Sequence, residues 1–127
     1  MVHRACLLRI DGYEAYCLSK LCNILFTYEL ADLLRGSGCT ANCLTPGPVN
    51  TKLLRGVSSI QGKSIPEGAQ NLLYVATSPN LINITGKYFA EKMETKTKPV
   101  SYDADTRKRL WNVSEIMVGI KMPNSPT

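Results

Sequence analysis

The sequence predicts a single α/β domain with a parallel sheet. Three observations lead to this class. A strongly helical pattern over residues 13–34 ends at a glycine-containing turn. A short buried segment follows at once, and a second helix and a second buried segment repeat the order further along the chain. Alternation of helices with short buried strands is typical of α/β units whose strands run parallel.

The first helix is predicted from the spacing of its apolar residues. Gly36 and Gly38 supply the stop that is expected after a helix. The apolar residues recur at steps of three and four, which places them on one face. They are Leu18, Leu21, Cys22, Leu25 and Tyr28.

The next elements are a strand and an irregular segment. Residues 41–44 form the first predicted strand, and the segment 45–51 is irregular because Pro46, Gly47 and Pro48 forbid regular structure. Residues 52–65 mix serine and glycine with apolar residues, so we expect an ordered loop or a mobile lid there.

A second helix is predicted over 66–76, and a second strand over 86–90. Residues 92–100 are polar and predict a loop, and a last amphipathic helix begins near residue 103. Two strands and three helices leave the first strand without a neighbour unless further strands are supplied. The apolar face of the last helix is predicted to comprise Leu110, Trp111, Ile116 and Met117.

Composition narrows the class of protein. The chain has 127 residues, 44% of them apolar and 20% charged, which fits one globular domain over 1–120 with a disordered tail over 121–127. The net charge of +5 comes from segments of mixed sign, so we expect a solvated face and no nucleic-acid partner.

Targeting signals and cysteine usage indicate an intracellular protein. No apolar run is long enough to span a membrane, and Arg9 interrupts the short apolar start, so we expect neither secretion nor a membrane segment. With one histidine and no C-x-x-C pair, no metal site is expected. Free thiols, buried at Cys17 and Cys22, fit a cytoplasmic location or the cytoplasmic face of an internal membrane.

Tyr16 and Lys20 are the pair that points to chemistry. Four residues apart on a helix, they share one face at about 6 Å along the axis. An ammonium at that distance favours the phenolate form of a tyrosine. A phenol tuned in this way exchanges a proton near neutral pH, which carbonyl–alcohol interconversion requires. Taken alone, the pair is better explained as an ordinary exposed helical pair.

The pair, its long helix, the strand and the segment Pro46–Thr51 together resemble the C-terminal half of a short-chain dehydrogenase/reductase. The similarity is greatest to the retinol-dehydrogenase-like branch and covers about residues 13–120. It implies an incomplete Rossmann-type fold, a doubly wound parallel sheet that lacks the Gly-rich first βαβ units. It also implies NADP(H), or alternatively NAD(H), and a lipophilic, retinol-like alcohol or carbonyl as the substrate.

The resemblance assigns a role to each matching residue. Tyr16 is the acid/base, and Lys20 favours its phenolate and bonds the nicotinamide ribose. Pro46 and Gly47 let the backbone approach the nicotinamide. Val49 and Thr51 hold its carboxamide, and the less favoured alternative is that Thr51 simply begins the next segment. Residues 52–65 cover the substrate, and Ser19 is predicted to serve packing or capping.

Parts of the family's site have no counterpart ahead of Tyr16. Residues 1–15 contain no serine to match the family's catalytic serine, and no Gly-rich phosphate turn precedes the helix. We therefore expect this chain to be truncated and inactive alone, as a truncated gene model or splice product, a fragment of a longer enzyme, or a pseudo-enzyme. The alternative function is a non-catalytic interaction module that pairs through the helix over 13–35, including with a second copy of itself.

Overall fold

A computed structural model describes residues 11–122 and has the predicted α/β class. Short 3₁₀ helices lie at Pro79–Leu81 and Pro99–Tyr102. In chain order the α-helices and strands of this part are α1 (Gly12–Leu33), β1 (Cys43–Thr45), α2 (Lys52–Val57), α3 (Ile65–Thr77), β2 (Tyr88–Ala90), β3 (Met93–Glu94) and α4 (Ala104–Val118).

The strands form one mixed sheet in the order β1-β2-β3. β1 pairs with β2 in parallel, with Cys43 opposite Tyr88, and β2 pairs with β3 in antiparallel fashion. The prediction that the first strand has no neighbour is therefore wrong, because the crossover through α3 brings β2 beside it. The loop predicted over 92–100 is also partly wrong. A two-residue turn folds its beginning back onto β2 as β3, which makes the sheet mixed.

Helix α1 confirms the helix predicted over 13–34 to within a residue at each end. The Asp11 side chain accepts a hydrogen bond of 2.8 Å from the Glu14 amide, which satisfies one of the free N–H groups of the first turn. Beyond the helix, Gly36 and Gly38 adopt φ angles of 78° and 79°, a region that only glycine enters without steric cost.

Side-chain caps also begin the other helices. Thr51 caps α2, a helix inside the segment that was predicted as a loop or lid, so that part of the prediction is wrong. Apolar periodicity cannot reveal a helix of 6 residues. Ser64 and Glu67 form a capping box at the start of α3, and Asp103 caps α4.

The core lies between α1, α4 and the sheet. Its buried side chains include Leu25 and Tyr28 of α1, Phe89 of β2 and Trp111 of α4. The rings of Phe26 and Trp111 stack with centroids 5.0 Å apart, which joins the two helices. The prediction that Trp111 belongs to the core is confirmed.

Two predictions of burial are wrong. Ile116 and Met117 are 80% and 81% exposed, because five and six residues after Trp111 a helix has turned by about 140° and 240° from the packed face. Cys17 is an exposed free thiol because the first half of α1, from residue 12 to residue 20, is exposed throughout. The tail predicted over 121–127 lies outside the described residues from residue 123 onward.

Candidate functional site

Tyr16 and Lys20 lie together on the exposed first half of α1. The Lys20 Nζ is 5.4 Å from the centroid of the Tyr16 ring, so the two side chains share a face as their spacing predicts. The Tyr16 side chain is 53% exposed and accessible to a ligand.

The neighbours of this pair on the helix include a second phenol that sequence reasoning missed. Tyr13 lies one turn before Tyr16, and its pKa is raised, first by a side-chain hydrogen bond with Cys17 and then by the charge of that thiol. The Ser19 hydroxyl donates a 2.7 Å hydrogen bond to the Tyr16 carbonyl oxygen. Ser19 therefore bonds its own helix backbone, in agreement with a local structural role.

The segment Pro46–Thr51 follows β1 and turns sharply at its glycine. Gly47 has a φ of 72°, and its amide donates to the Thr45 hydroxyl at 3.2 Å. Val49 forms a parallel β-bridge with Lys63. In a parallel bridge the amide of the central residue points away from its partner. Among residues 11–122 the Val49 N–H has no hydrogen-bond acceptor, so it remains available to a ligand.

Thr51 starts α2 and still has a donor to offer. Its hydroxyl oxygen accepts a 3.3 Å hydrogen bond from the Leu54 amide, which makes it the cap of this helix. A threonine hydroxyl both accepts and donates, so capping leaves its proton available. The structural explanation of Thr51 as the start of the next segment is correct, and it is compatible with ligand contact.

Close packing fixes the position of Val49. A Cβ on Gly68 of α3 would lie 2.5 Å from the Val49 Cγ2, and one on Gly62 would lie 2.8 Å from the Asn50 amide nitrogen. Real Cβ atoms do not approach other atoms so closely, so both positions need glycine. Neither glycine was singled out from the sequence, because close approach is a property of the folded chain.

Two charged residues beside this segment were also missed. The Glu91 Oε2 pairs with the Lys63 Nζ, and its Oε1 lies 3.3 Å from the position that a Cβ on Gly47 would occupy. Glu91 comes directly after β2, far from Gly47 in sequence, so only the pairing of β1 with β2 brings them together. No local sequence signal marks this contact.

The segment between Thr51 and Lys63 presents apolar side chains to solvent. Its base is closed by two hydrogen bonds, of 2.8 Å from the Asn50 amide to the Lys63 carbonyl and of 2.9 Å from the Lys63 amide to the Pro48 carbonyl. Leu53, Val57 and Ile60 are 69%, 75% and 63% exposed.

The predicted residues form two groups. One is Tyr16 with Lys20 on α1, and the other is the loop from residue 46 to residue 51. Among residues 11–122 no hydrogen bond, ion pair or ring contact joins the two groups. A cleft of about 250 Å³ lies elsewhere, with Tyr28, Lys87 and Arg107 in its lining, and includes neither group.

Two further properties of the described part bear on the class of site. No helix within residues 11–122 is both long enough and apolar enough to cross a membrane. The same part of the chain holds no group of three or more His, Cys, Asp or Glu residues arranged to bind a metal ion.

Comparison with known proteins finds close relatives. Retinol dehydrogenase 14 from Mus musculus is 41% identical over 118 residues, which span 83% of this chain and 35% of that protein. Retinol dehydrogenase 12 from Homo sapiens is 40% identical over 116 residues, 84% of this chain and 37% of the relative. Polyprenol dehydrogenase from Homo sapiens is 36% identical over 121 residues, which span 85% of this chain and 37% of that protein. No family model matches the chain.

These relatives are dehydrogenases of one family, and each match covers more than four fifths of this chain. The chain belongs to the short-chain dehydrogenase/reductase family. Within that family it belongs to the retinol-dehydrogenase-like branch. It spans somewhat more than a third of the length of the curated relatives that it matches.

Proposed function

We propose that this chain carries the proton-transferring part of an NAD(P)-dependent oxidoreductase that interconverts an alcohol and a carbonyl. The observation that supports this most directly is the exposed Tyr16 ring with the Lys20 ammonium 5.4 Å from its centroid. Relatives named as retinol and polyprenol dehydrogenases give the reaction class. Residues 1–120 then belong to one domain, part of a larger doubly wound Rossmann-type sheet.

The loop after β1 suits a nicotinamide carboxamide. The carbonyl oxygen of that group accepts up to two hydrogen bonds, and the loop offers two donors, the unused Val49 N–H and the Thr51 hydroxyl. Pro46 and Gly47 let the backbone approach a flat ring, because Gly47 has no side chain to obstruct it. The bound nicotinamide supplies or accepts the hydride. NADP(H) is our choice for the cofactor, with NAD(H) as the alternative.

In the proposed mechanism Tyr16 moves the proton. During reduction the Tyr16 hydroxyl donates its proton to the carbonyl oxygen of the substrate, and during oxidation the phenolate accepts the proton of the alcohol. The Lys20 ammonium stabilises the phenolate that remains after donation and bonds the ribose hydroxyls of the cofactor. The segment that begins at Thr51 and ends at Lys63 covers the substrate and excludes water.

A lipophilic substrate fits the covering segment. The exposed side chains of Leu53, Val57 and Ile60 offer apolar contacts and no charge. We propose a retinol-like alcohol or its carbonyl form, in keeping with the names of the relatives. The free thiols of Cys17, Cys22, Cys39 and Cys43 accord with a reducing compartment, and we propose the cytoplasm or the cytoplasmic face of an internal membrane.

A chimera tests the proposed reaction. The stretch of Mus musculus retinol dehydrogenase 14 that aligns with this chain is replaced by the chain's own residues, and retinol oxidation is measured with NADP⁺. We expect activity, and Tyr16→Phe should lower kcat by about 10²–10⁴-fold. Tyr13→Phe, one turn away and also exposed, is the matched control and should leave kcat unchanged. A chimera that is active and indifferent to Tyr16→Phe would exclude Tyr16 as the acid/base.

We further propose that the 127-residue polypeptide is inactive by itself. No serine precedes Tyr16 within residues 1–15 to polarise the substrate, and no Gly-rich turn lies there to hold the pyrophosphate. NADPH is titrated into the purified chain by fluorescence, alongside a thermal melt. We expect neither saturable binding nor carbonyl reduction. Saturable binding with a raised melting temperature would contradict this and would point to a site completed between chains.

The alternative function is an interaction module that uses α1. It is favoured by the exposure of the first half of this helix, where Tyr13, Tyr16 and Leu18 are 76%, 53% and 49% exposed. Light scattering distinguishes the alternatives. A discrete dimer that Leu18→Glu dissociates supports pairing through α1, either with a second copy or with a dehydrogenase. A monomer or a polydisperse aggregate does not.

A further inference from the structure

Glu91 occupies a turn that is unfavourable for its residue type. It joins β2 to β3 together with Lys92, and the two residues have φ angles of 50° and 62°. Two-residue hairpin turns with positive φ at both positions favour asparagine and glycine, because a Cβ is crowded there. A non-glycine residue held in such a conformation is a reason to look for a function.

The turn places the Glu91 carboxylate beside the loop from residue 46 to residue 51. Oε2 pairs with the Lys63 Nζ, and Oε1 lies against the Gly47 backbone, 3.3 Å from where a Cβ would stand. Any side chain at position 47 would contact this oxygen. Position 47 therefore favours glycine for two reasons, the close approach of this carboxylate and the positive φ of the residue.

Lys63, the partner of Glu91, lies at the base of the covering segment. Its backbone makes both hydrogen bonds that close the base of this segment, one to the Pro48 carbonyl and one from the Asn50 amide. Glu91 directly follows β2. Its carboxylate therefore connects the sheet to Lys63, where the covering segment is hydrogen-bonded to the loop from residue 46 to residue 51. Its effect on the ligand passes through Lys63 and Gly47 and involves no direct contact.

We infer that Glu91 is a positioning residue, which holds the loop from residue 46 to residue 51 and the base of the covering segment in the geometry that presents the Val49 N–H. This inference rests on the proposed function, because that function assigns the loop to the nicotinamide. The ion pair is half-exposed, with 36% of the Lys63 side chain and 54% of the Glu91 side chain accessible. Its contribution is therefore local, as for other surface pairs.

Amide hydrogen exchange of the 127-residue chain tests the inference without any ligand. We expect Glu91→Gln to raise exchange in peptides covering 46–64 by about two- to fivefold, the range of an exposed ion pair. The double variant Lys63→Glu/Glu91→Lys should restore protection, because it re-forms the pair in reverse. Exchange over α4 should not change in any variant.

The chain offers a matched control. Glu94 lies on the same hairpin and pairs with Lys87 at 2.7 Å, with similar exposure of both side chains. Glu94→Gln should leave exchange over 46–64 unchanged. Equal effects of the two single variants, failure of the reversed pair to restore protection, or full exposure of these amides in the unmodified chain would each overturn the inference. Because no cofactor is added, these outcomes are independent of the NADPH titration that tests the proposed function.

Discussion

Arg107 on α4 donates a 2.8 Å hydrogen bond from its Nη2 to the Asp32 Oδ2 on α1, and its Nε lies 3.6 Å from the Glu29 Oε2. Glu29 is only 3% exposed, and the Arg107 side chain is 15% exposed. One guanidinium thus faces two carboxylates between two helices. This cluster connects the helix that carries Tyr16 to the C-terminal part of the domain.

Arg107→Met should destabilise the domain markedly. Removing the guanidinium leaves the Glu29 carboxylate buried without its counter-charge, which costs about 3–5 kcal/mol in comparable sites. Urea unfolding measures the loss. Arg35→Met is the matched control, because Arg35 also pairs with Asp32, at 2.6 Å, but its side chain is 79% exposed. Equal losses from the two variants would contradict a special role for the buried contact.

Glu29 should make stability fall as pH rises. Burial raises the pKa of Glu29, against the opposing charges of Arg107 and Lys108 and with added repulsion from Asp32. The folded state therefore holds this proton more tightly than the unfolded state. Stability decreases as the pH rises from the pKa of an unfolded glutamate, about 4.3, through the raised pKa of the folded state. Unfolding of Glu29→Gln between pH 4 and pH 7 should show a smaller loss.

Glu67 serves as a control for that pH series, because its pKa is shifted in the opposite direction. Hydrogen bonds from Ser64 lower the pKa of Glu67, so its stabilising contribution is present above the unfolded pKa and is lost as the medium becomes more acidic. Glu67→Gln should therefore remove part of a rise in stability with pH. The same slope for both variants would show that neither carboxylate titrates as its surroundings indicate.

Gly68→Ala should disturb the loop from residue 46 to residue 51 by moving Val49. The added methyl would lie 2.5 Å from the Val49 Cγ2, so the helix or the loop must shift, at a cost of about 1–3 kcal/mol. Gly56→Ala in α2 is the control, because nothing lies within 4 Å of its Cβ position. That change should stabilise by about 0.5–1 kcal/mol through helix propensity. Thermal unfolding that gives both changes the same sign would be inconsistent with the packing described above.

Substitutions of Thr51 should separate its two roles. Aspartate at this position retains an acceptor for the Leu54 amide and keeps the cap, but it has no hydroxyl proton to donate. Serine keeps both properties. In the chimera with retinol dehydrogenase 14, we expect Thr51→Ser to bind NADPH normally. Thr51→Asp should keep the melting temperature and weaken NADPH binding. Normal binding by Thr51→Asp would exclude the hydroxyl from cofactor contact.

Local sequence signals accounted for most of the helices and for the shared face of Tyr16 and Lys20. Apolar spacing and the stop at Gly36 located α1, and the four-residue separation of Tyr16 and Lys20 placed them on one face because helix geometry is local. The helix α2 escaped notice, since its 6 residues are too few to show a period. Strand β3 was missed for a related reason, because its 2 residues and their turn carry no strand or turn signature.

Residues that are distant along the chain meet only when the sheet forms, and the sequence gives no sign of those meetings. The parallel pairing of β1 with β2 brings Glu91 to Gly47 and Lys63, and the packing of α3 against Val49 makes Gly68 necessary. The exposed half of α1 is likewise a tertiary outcome, because apolar spacing identifies a face but cannot say whether another element covers it. The shared face of Tyr16 and Lys20 could be predicted from residue spacing, whereas the position of the loop from residue 46 to residue 51 depends on long-range contacts that exist only in the folded chain.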